Sequence, residues 1–509
     1  MIRIKIDNTE LTVPADTTIL KAAAHIGINI PVMCHNDSIP NHASCMVCSV
    51  KNNLTGNFIP ACESKVQPGM DLSCNTQEVF EFRKNALELL LSDHTGDCEA
   101  PCRVGCPAFM DIPKMNRLIA QGKDAEALAV VKEEIALPLI LGYICSAPCE
   151  GACRRKQVEN AVSICQLKKF VALENEDYFP IKETGKNKKI AIIGAGISGL
   201  TAAYHVLRYG YECVVFDKNH EAGGSLLSLS EDELPKSILI KEIEILQKFG
   251  AELCLNTAVS AIEIKNEYDA VILACGAEGK EEGIQMDAEF YTTNYPNIFA
   301  CGSVISPVKM AVKALAQGKA AAQSAHTFLS GNPVIKQQKT FNSRFGKLKQ
   351  PEIEAYLKEA KTKDRTAPLR GILPGFTVEE AISEAERCMH CDCRKSSSCI
   401  LRLLSDKYQA DQRKYKPEER KLVRKYFKKG ILVYEPEKCI KCGLCVETVK
   451  RNDELVGLTY IGRGFDMQIS VPFNLTLDSA IEKAAYQCIQ NCPTGALSNY
   501  SGEDTKTIN

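Results

Sequence analysis

Cysteines two, three or five residues apart recur along the chain, and several are followed directly by proline. Thiolates at such spacings can wrap polynuclear iron–sulfur centres, four ligands to each. Cys34, Cys45, Cys48 and Cys62 form the first set. Three thiolates from one looping segment and a fourth from a later strand suit a [2Fe–2S] centre. Near the other end, Cys439, Cys442 and Cys445 begin a Cys-x2-Cys-x2-Cys run, and Cys488-x3-Cys492-Pro closes a second one. When such runs hold two clusters, the fourth cysteine of each ligates the other cluster. Val449 takes the fourth position of the first run, and the second run lacks its first two cysteines. Every loss therefore falls on one cluster, leaving a single [4Fe–4S] site of Cys439, Cys442, Cys445 and Cys492, with Cys488 left over. Cys388, Cys391, Cys393 and Cys399 form a further dense set. A [4Fe–4S] centre is its first reading, and a closed tetrahedral zinc site is the alternative.

A second chemistry lies in the middle. An apolar strand, Ile190–Ile193, runs into Gly194-Ala-Gly196-Ile-Ser-Gly199, then an Ala/Leu-rich helix and a second strand ending on Asp217. The glycines serve a tight turn, close approach of backbone to a pyrophosphate and close helix–strand packing. The helix N-terminus offers free N–H groups to phosphate. Asp217 stands where a carboxylate accepts from a ribose hydroxyl. Dinucleotide binding follows from this order of parts.

The elements that must position these groups are of mixed type. At 509 residues the chain is long enough for about three domains. With 62 Lys and Arg against 63 Asp and Glu, charge matching to nucleic acid or a membrane surface is not its main business. The longest apolar run, Ile135–Ile144, falls well short of a span. With no apolar leader, the chain reads as cytoplasmic, and its 25 cysteines as metal ligands rather than disulfides. So many oxygen-sensitive sites point to an anaerobe. Strands at Ile2–Ile6 and Leu11–Val13 and a helix at Thr18–Gly27 frame the first cysteine set. Ile112–Asn116 and Gln121–Lys132 read as helices. Residues 330–377 read as a polar linker, and the Lys/Arg-rich stretch 402–429 as a solvated helix face.

Resemblances extend these readings. Glu221-Ala-Gly223-Gly224 and the later Asn297-Ile-Phe-Ala-Cys-Gly302, each flanking the dinucleotide motif, resemble the FAD half of the glutamate synthase small subunit family. The resemblance implies FAD held by Gly194, Gly196, Gly199, Asp217, Gly223, Gly224 and Gly302. Ser303 departs from the Asp usual there, and only 20 residues separate Gly276 from Asn297, so the family's second, NAD(P)H-binding domain is missing. His94-x3-Cys98-x3-Cys102-x3-Cys106-Pro and Cys145-x3-Cys149-x3-Cys153 resemble the two-cluster helical domain of the same family and of dihydropyrimidine dehydrogenase. Carried over, Cys106, Cys145, Cys149 and Cys153 hold one [4Fe–4S] cluster. Cys98, Cys102 and Cys165 belong to another, with His94 as the fourth ligand, as in complex I and [FeFe] hydrogenases, which the first cysteine set also resembles. The last cysteine runs resemble bacterial ferredoxin.

The implied layout is multidomain α/β and α+β. A β-grasp ferredoxin-like [2Fe–2S] head (1–78) precedes a helical domain with two [4Fe–4S] sites (79–180) and an FAD-binding Rossmann-type domain (181–330). A linker with a Cys-rich segment (331–434) and a ferredoxin-like [4Fe–4S] tail (435–509) follow. The inventory is one FAD, one [2Fe–2S] and three to four [4Fe–4S] centres, with no substrate pocket or catalytic residue visible. The implied function is an electron-transfer subunit of a larger anaerobic oxidoreductase. The implied partners are an NADH-oxidising complex I-like flavoprotein, ferredoxin, and a hydrogenase or formate dehydrogenase catalytic subunit. Flavin-based bifurcation is one form the transfer could take. The alternative is a self-sufficient glutamate synthase-like FAD reductase of a small substrate.

Overall fold

A computed structural model describes residues 1–40, 42–277, 279–335, 340–415 and 417–502. Parts of the linker (336–339) and of the segment after Gly276 (Glu278) lie outside the described residues. The chain forms two compact units. The first takes the described residues of 1–100, 339–358 and 391–509, and the second those of 101–338 and 359–390.

The first unit opens with strands β1 (Ile2–Ile6) and β2 (Thr9–Val13) and helix α1 (Ile19–His25). Strands β3 (Ser49–Asn52), β4 (Phe58–Pro60) and β5 (Asp71–Ser73) complete a sheet of order β2-β1-β5-β3-β4. Only β1 and β5 run parallel; the other pairs are antiparallel. In β1 the alternation puts Ile4 and Ile6 into the core, where Ile19, Ala22 and Ala23 of α1 meet them. Thr18 caps α1 by accepting from the Lys21 N–H at 3.3 Å. Thr76 likewise begins α2 (Gln77–Ser92).

The second unit starts with short helices α3 (Pro101–Gly105), α4 (Ile112–Ala120), α5 (Asp124–Glu134), α6 (Pro138–Ile144), α7 (Pro148–Gly151) and α8 (Ile164–Glu174). Where the sequence suggests a helix over 121–132, α4 runs on to Ala120 and a turn at Gly122, in left-handed backbone, separates it from α5. The parallel sheet follows: β6 (Lys189–Ile193), α9 (Ile197–Arg208), β7 (Glu212–Phe216), α10 (Lys236–Lys248), β8 (Ala251–Cys254), β9 (Ala270–Leu273) and β10 (Ile298–Ala300). Its order is β10-β9-β6-β7-β8, parallel throughout. The central strands are buried along almost their whole length, as a sheet covered on both faces requires. Between β9 and β10 the described residues form only isolated bridges, Met286 to Thr293 and Thr292 to Phe299. No second dinucleotide sheet stands there.

Helix α11 (Ala311–Leu329) returns along α9, and Gly318 is what lets the two touch. A Cβ on Gly318 would lie 2.2 Å from the Ser198 carbonyl oxygen. The stretch expected to be linker is partly structured: α12 (Gln350–Leu357) in the first unit buries Ile353 and Tyr356. α13 (Val378–Ala385) in the second unit starts with a Thr377–Glu380 capping box.

Back in the first unit, α14 (Ile400–Lys407), β11 (Tyr426–Lys428) and β12 (Leu432–Tyr434) precede α15 (Leu444–Arg451) and the hairpin β13 (Thr459–Ile461) and β14 (Gln468–Ser470). α16 (Leu477–Ala480), α17 (Ala485–Asn491) and β15 (Leu497–Asn499) end the described fold, with β12 between β11 and β15. The basic stretch 402–429 is therefore not one helix face. Arg402 ion-pairs with Glu99, and Lys425 lies buried over the Tyr356 ring. Among the described residues no helix is long and apolar enough to cross a membrane.

Gly318→Val should lower stability by roughly 3 kcal/mol or more, since its side chain meets backbone that cannot yield. Thermal unfolding of the purified chain checks this, and an unchanged midpoint would show that α9 and α11 are not packed this closely.

Candidate functional site: thiol groups and a dinucleotide cleft

In the first unit, Cys45 and Cys48 precede β3, Cys62 follows β4, and Cys34 comes from the loop after α1. The antiparallel pairing of Ser49 with Pro60 brings the Cys48 and Cys62 ends together. All four thiols are buried and none is in a disulfide. The Cys34 thiol contacts those of Cys45 and Cys62, which lower its pKa against the cost of burial; Cys48 contacts Cys62. Ala43 and Met46, both in left-handed backbone, curl the intervening loop.

Cys439, Cys442 and Cys445 surround the start of α15, and Cys492 follows α17. Burial raises the Cys439 thiol to about 12, and the neighbouring Cys492 adds to it. Burial also raises Cys445, helped by Cys439, Cys442, Cys488 and Cys492. Gly443 turns the loop in left-handed backbone, where a Cβ would meet the Tyr460 hydroxyl at 2.3 Å. Cys488 packs wholly inside the core with Leu432 and Ile489. Cys74 is also buried, its thiol raised to about 12 by burial and then by Asp7.

The set Cys388–Cys399 is divided between the two units. Cys388 follows α13 in the second unit, where the neighbouring Arg387 is locked by Glu384 at 2.6 Å and the Asn160 carbonyl at 2.7 Å. Cys391, Cys393 and Cys399 belong to the first unit. There the Cys393 N–H donates to the Cys98 carbonyl at 3.1 Å. Cys98 is raised to about 12, by burial first and then by Cys393 and Cys399. His94 is half-buried nearby, neutral because desolvation of the ring and the Lys438 ammonium bring its pKa down to about 4. Among the described residues no three His, Cys, Asp or Glu side chains are placed to hold a single metal ion.

In the second unit, Cys165 on α8 lies against Cys145 and Cys149, rather than with Cys98 and Cys102 as the carried-over grouping has it. Glu150 fixes that register by accepting from the Cys165 N–H at 3.0 Å. Lys168, one turn further on, is buried; burial opposes its charge, but Cys165, Cys145, Cys149 and Cys106 together hold its pKa up. Its Nζ donates to the Leu141 carbonyl at 3.1 Å. Cys102 on α3 and Cys153 after α7 are on helices packed against each other, with a Gly105 Cβ position 2.9 Å from the Ala152 Cβ.

The same unit contains a cleft of about 1170 Å³ at the C-terminal ends of the parallel strands. Gly194, Gly196, Asp217 and Gly224 line one part of it, and Ser303, Lys309 and Met310 another. Gly194 needs its left-handed backbone, since a Cβ would meet the Ala274 carbonyl oxygen at 2.4 Å. Gly199 needs its bareness for the helix–strand approach, where a Cβ would lie 1.8 Å from the Gly194 oxygen. Gly196 is different: its Cβ would meet nothing nearer than Gly224 Cα at 4.0 Å, so it faces the open cleft. Gly302 abuts Ser198, and Gly223, also in left-handed backbone, donates its N–H to Ala195. Asp217 accepts from the Ala195 N–H at 2.7 Å and from the Asn219 backbone at 2.9 Å, bracing the glycine loop from the cleft wall. Bare backbone at Gly196, a helix N-terminus and a wall carboxylate fit a dinucleotide pyrophosphate and ribose. The wall also includes Tyr143, Ile144 and Cys145, so a member of the thiol group lines the cleft itself. The sequence carries no signal for that contact beyond the short helix leading into Cys145.

Family models match along the chain: a 2Fe-2S iron–sulfur cluster binding domain over residues 1–77, the dihydropyrimidine dehydrogenase domain II 4Fe-4S cluster over 74–178, and an NAD(P)-binding Rossmann-like domain over 192–240. The chain is 33% identical over 256 residues to the NADPH-Fe(3+) oxidoreductase subunit beta of Geobacter sulfurreducens, covering 47% of this chain and 38% of that one. It is 34% identical over 230 residues to the NADP(+)-dependent formate dehydrogenase subunit beta of Moorella thermoacetica, covering 39% and 32%. The chain thus spans well under half the length of these relatives. Against the glutamate synthase [NADPH] small chain of Bacillus subtilis it is 30% identical over 339 residues, covering 61% of this chain and 67% of that one. On that span, the protein belongs to the glutamate synthase small-chain family of iron–sulfur oxidoreductases.

Proposed function

We propose that the chain is an electron-transfer subunit that carries FAD and iron–sulfur centres between partner proteins. The observation that carries this reading is Cys145, which lines the dinucleotide cleft and also touches Cys165. A redox group in the cleft and one at the thiols would then be neighbours. FAD accepts two electrons and releases them singly, while iron–sulfur centres pass one at a time.

The chain's own residues supply the rest. Gly196 and the start of α9 receive the pyrophosphate, Asp217 the ribose, and Gly223, Gly224 and Gly302 admit close backbone. Cys106, Cys145, Cys149 and Cys165 hold a [4Fe–4S] centre, and Lys168 offsets its negative charge. Cys34, Cys45, Cys48 and Cys62 hold a [2Fe–2S] centre, and Cys439, Cys442, Cys445 and Cys492 a second [4Fe–4S]. Cys102, Cys153 and Cys388 are the remaining ligand candidates of the second unit, and Cys391 of the first. The five segments 1–78, 79–180, 181–330, 331–434 and 435–509 are the finer organisation proposed for these sites. Electrons come from an NAD(P)H- or ferredoxin-oxidising partner and go to a catalytic one of the hydrogenase or formate dehydrogenase kind. The formate dehydrogenase and NADPH-Fe(3+) oxidoreductase relatives support that setting.

The short run between β9 and β10 favours this reading over a self-sufficient NAD(P)H reductase, which needs a second nucleotide domain. The chain, purified without oxygen and loaded with FAD, iron and sulfide, should keep its flavin absorbance unbleached on adding NADH or NADPH alone. Dithionite should bleach it. Rapid bleaching by either nicotinamide would overturn the proposal.

Gly196→Val should abolish FAD retention while costing no more than about 1 kcal/mol of stability, since the new side chain enters open cleft at a helix N-cap. Flavin per chain and the unfolding midpoint read the two effects separately. Full flavin loading would mean that the phosphates lie elsewhere.

A further inference from the structure

Cys98 and Cys393 lie on opposite sides of the segment that builds the second unit, yet they meet in the first. The Cys393 N–H donates to the Cys98 carbonyl at 3.1 Å, and the Cys98 N–H to the Ser343 carbonyl at 3.1 Å. Cys399 is set by its own N–H to the Lys395 carbonyl at 2.8 Å and by Ile400 N–H to the Pro493 carbonyl at 2.9 Å. All three side chains are buried, at 7%, 7% and 5% exposure, and none is in a disulfide. The pocket is shaped for sulfur: a Cβ on Gly495 would lie 2.1 Å from Cys393 Sγ.

Two buried cations face the same three thiols. Arg402 is near Cys98, paired with Glu99 at 2.7 Å, and Lys438 is near Cys393, paired with Glu435 at 2.5 Å. The Lys438 stem passes so close to Gly96 that a Cβ there would meet its Cε at 2.7 Å. Positive charge driven this far inside is costly unless negative charge accompanies it. Glu99 and Glu435 supply part of that charge, but Glu435 is shared with Lys425 at 4.0 Å; thiolates on a metal cluster would add to it where neutral thiols do not. His94, two residues before Gly96, is also beside Lys438, and among the described residues its buried Nδ1 has no hydrogen-bond partner. A buried nitrogen without a partner is itself costly and needs an acceptor of its lone pair.

We propose that Cys98, Cys393 and Cys399, with His94 as the nitrogen donor, hold a [4Fe–4S] centre distinct from the site at Cys439, Cys442, Cys445 and Cys492. On assembly from iron and sulfide the three thiols release their protons to solvent and form Fe–S bonds. The neutral imidazole adds the fourth bond with no proton lost. The centre neighbours the Cys492 site, because the Cys492 thiol is close enough to add to the raised pKa of Cys399, which burial and then Cys393 push up first. This inference rests on reading the thiol groups as iron–sulfur sites, but not on FAD or on any partner.

The test uses the full chain, purified and reconstituted without oxygen, with iron per chain, flavin per chain and the electron paramagnetic resonance spectrum of the reduced form as readouts. Cys98→Ser, Cys393→Ser and Cys399→Ser should each remove about four iron atoms and the same one signal. The [2Fe–2S] signal and the flavin should remain, which also reports that the chain is folded. His94→Cys should keep the iron count and move that one signal's midpoint to lower potential, as thiolate replaces a less electron-donating nitrogen. Unchanged iron in Cys393→Ser or Cys399→Ser would overturn the site, as would Cys98→Ser removing the signal that Cys165→Ser removes. An unmoved midpoint in His94→Cys would overturn the nitrogen ligand. Loss of flavin retention with this pattern intact would instead count only against the proposed function.

Discussion

The backbone hydrogen bond from the Cys393 N–H to the Cys98 carbonyl, with the Thr95 N–H to the Glu437 carbonyl and the Arg402–Glu99 ion pair, joins within the first unit what the chain order separates. The first unit breaks off after Ala100, takes up only the described residues of 339–358, and resumes at Cys391, so everything that builds the glycine loop and the parallel sheet lies between those points. For the first unit to have a continuous interior, the two sides of the break must meet, and they do so at cysteines. The burial of Arg402, Lys438 and Cys399 around that junction follows from it.

The second dependence is electrostatic. Buried thiols by themselves resist ionisation, as the raised values at Cys98, Cys399 and Cys439 show. Two of the groups are accompanied by buried cations: Lys168 beside Cys165, and Lys438 and Arg402 beside Cys393 and Cys98. Glu435 and Glu99 offset part of the cost at Lys438 and Arg402, and negative charge at the sulfurs would offset more. Lysines and arginines of this kind do not stand out in a sequence, since nothing in their neighbours distinguishes them from solvated ones.

What could be read in advance divides along the same line. Local patterns were legible: the glycine loop between β6 and α9, the Cys45/Cys48 pair before β3, and the absence of a second nucleotide domain before Asn297. Non-local pairings were not. Cys165 joins Cys145 because α8 packs on α6, a choice made by the apolar faces of the two helices and not by cysteine spacing. Cys388 belongs to the second unit, where Arg387 beside it is fastened to Glu384 and Asn160. The basic stretch after Arg402 looked solvated since charge runs usually are, yet Lys425 has an aromatic ring and Glu435 to enter the interior with. Linker polarity likewise hid α12, whose Ile353 and Tyr356 are too few to mark a helix by periodicity.

One apolar core of the first unit includes Cys34, Cys45, Cys399 and Cys442 together with Met33, Leu87 and Leu401. Such an interior polarises weakly, so charge added at one of those sulfurs is poorly screened from the next. With the proposed centres seated there, reduction would be anticooperative: the first electron would make the second harder to add, and a reductive titration would spread over a wider span of potential than independent sites show. The hydrophobic packing that holds the fold together would thereby also set how far apart successive reductions fall.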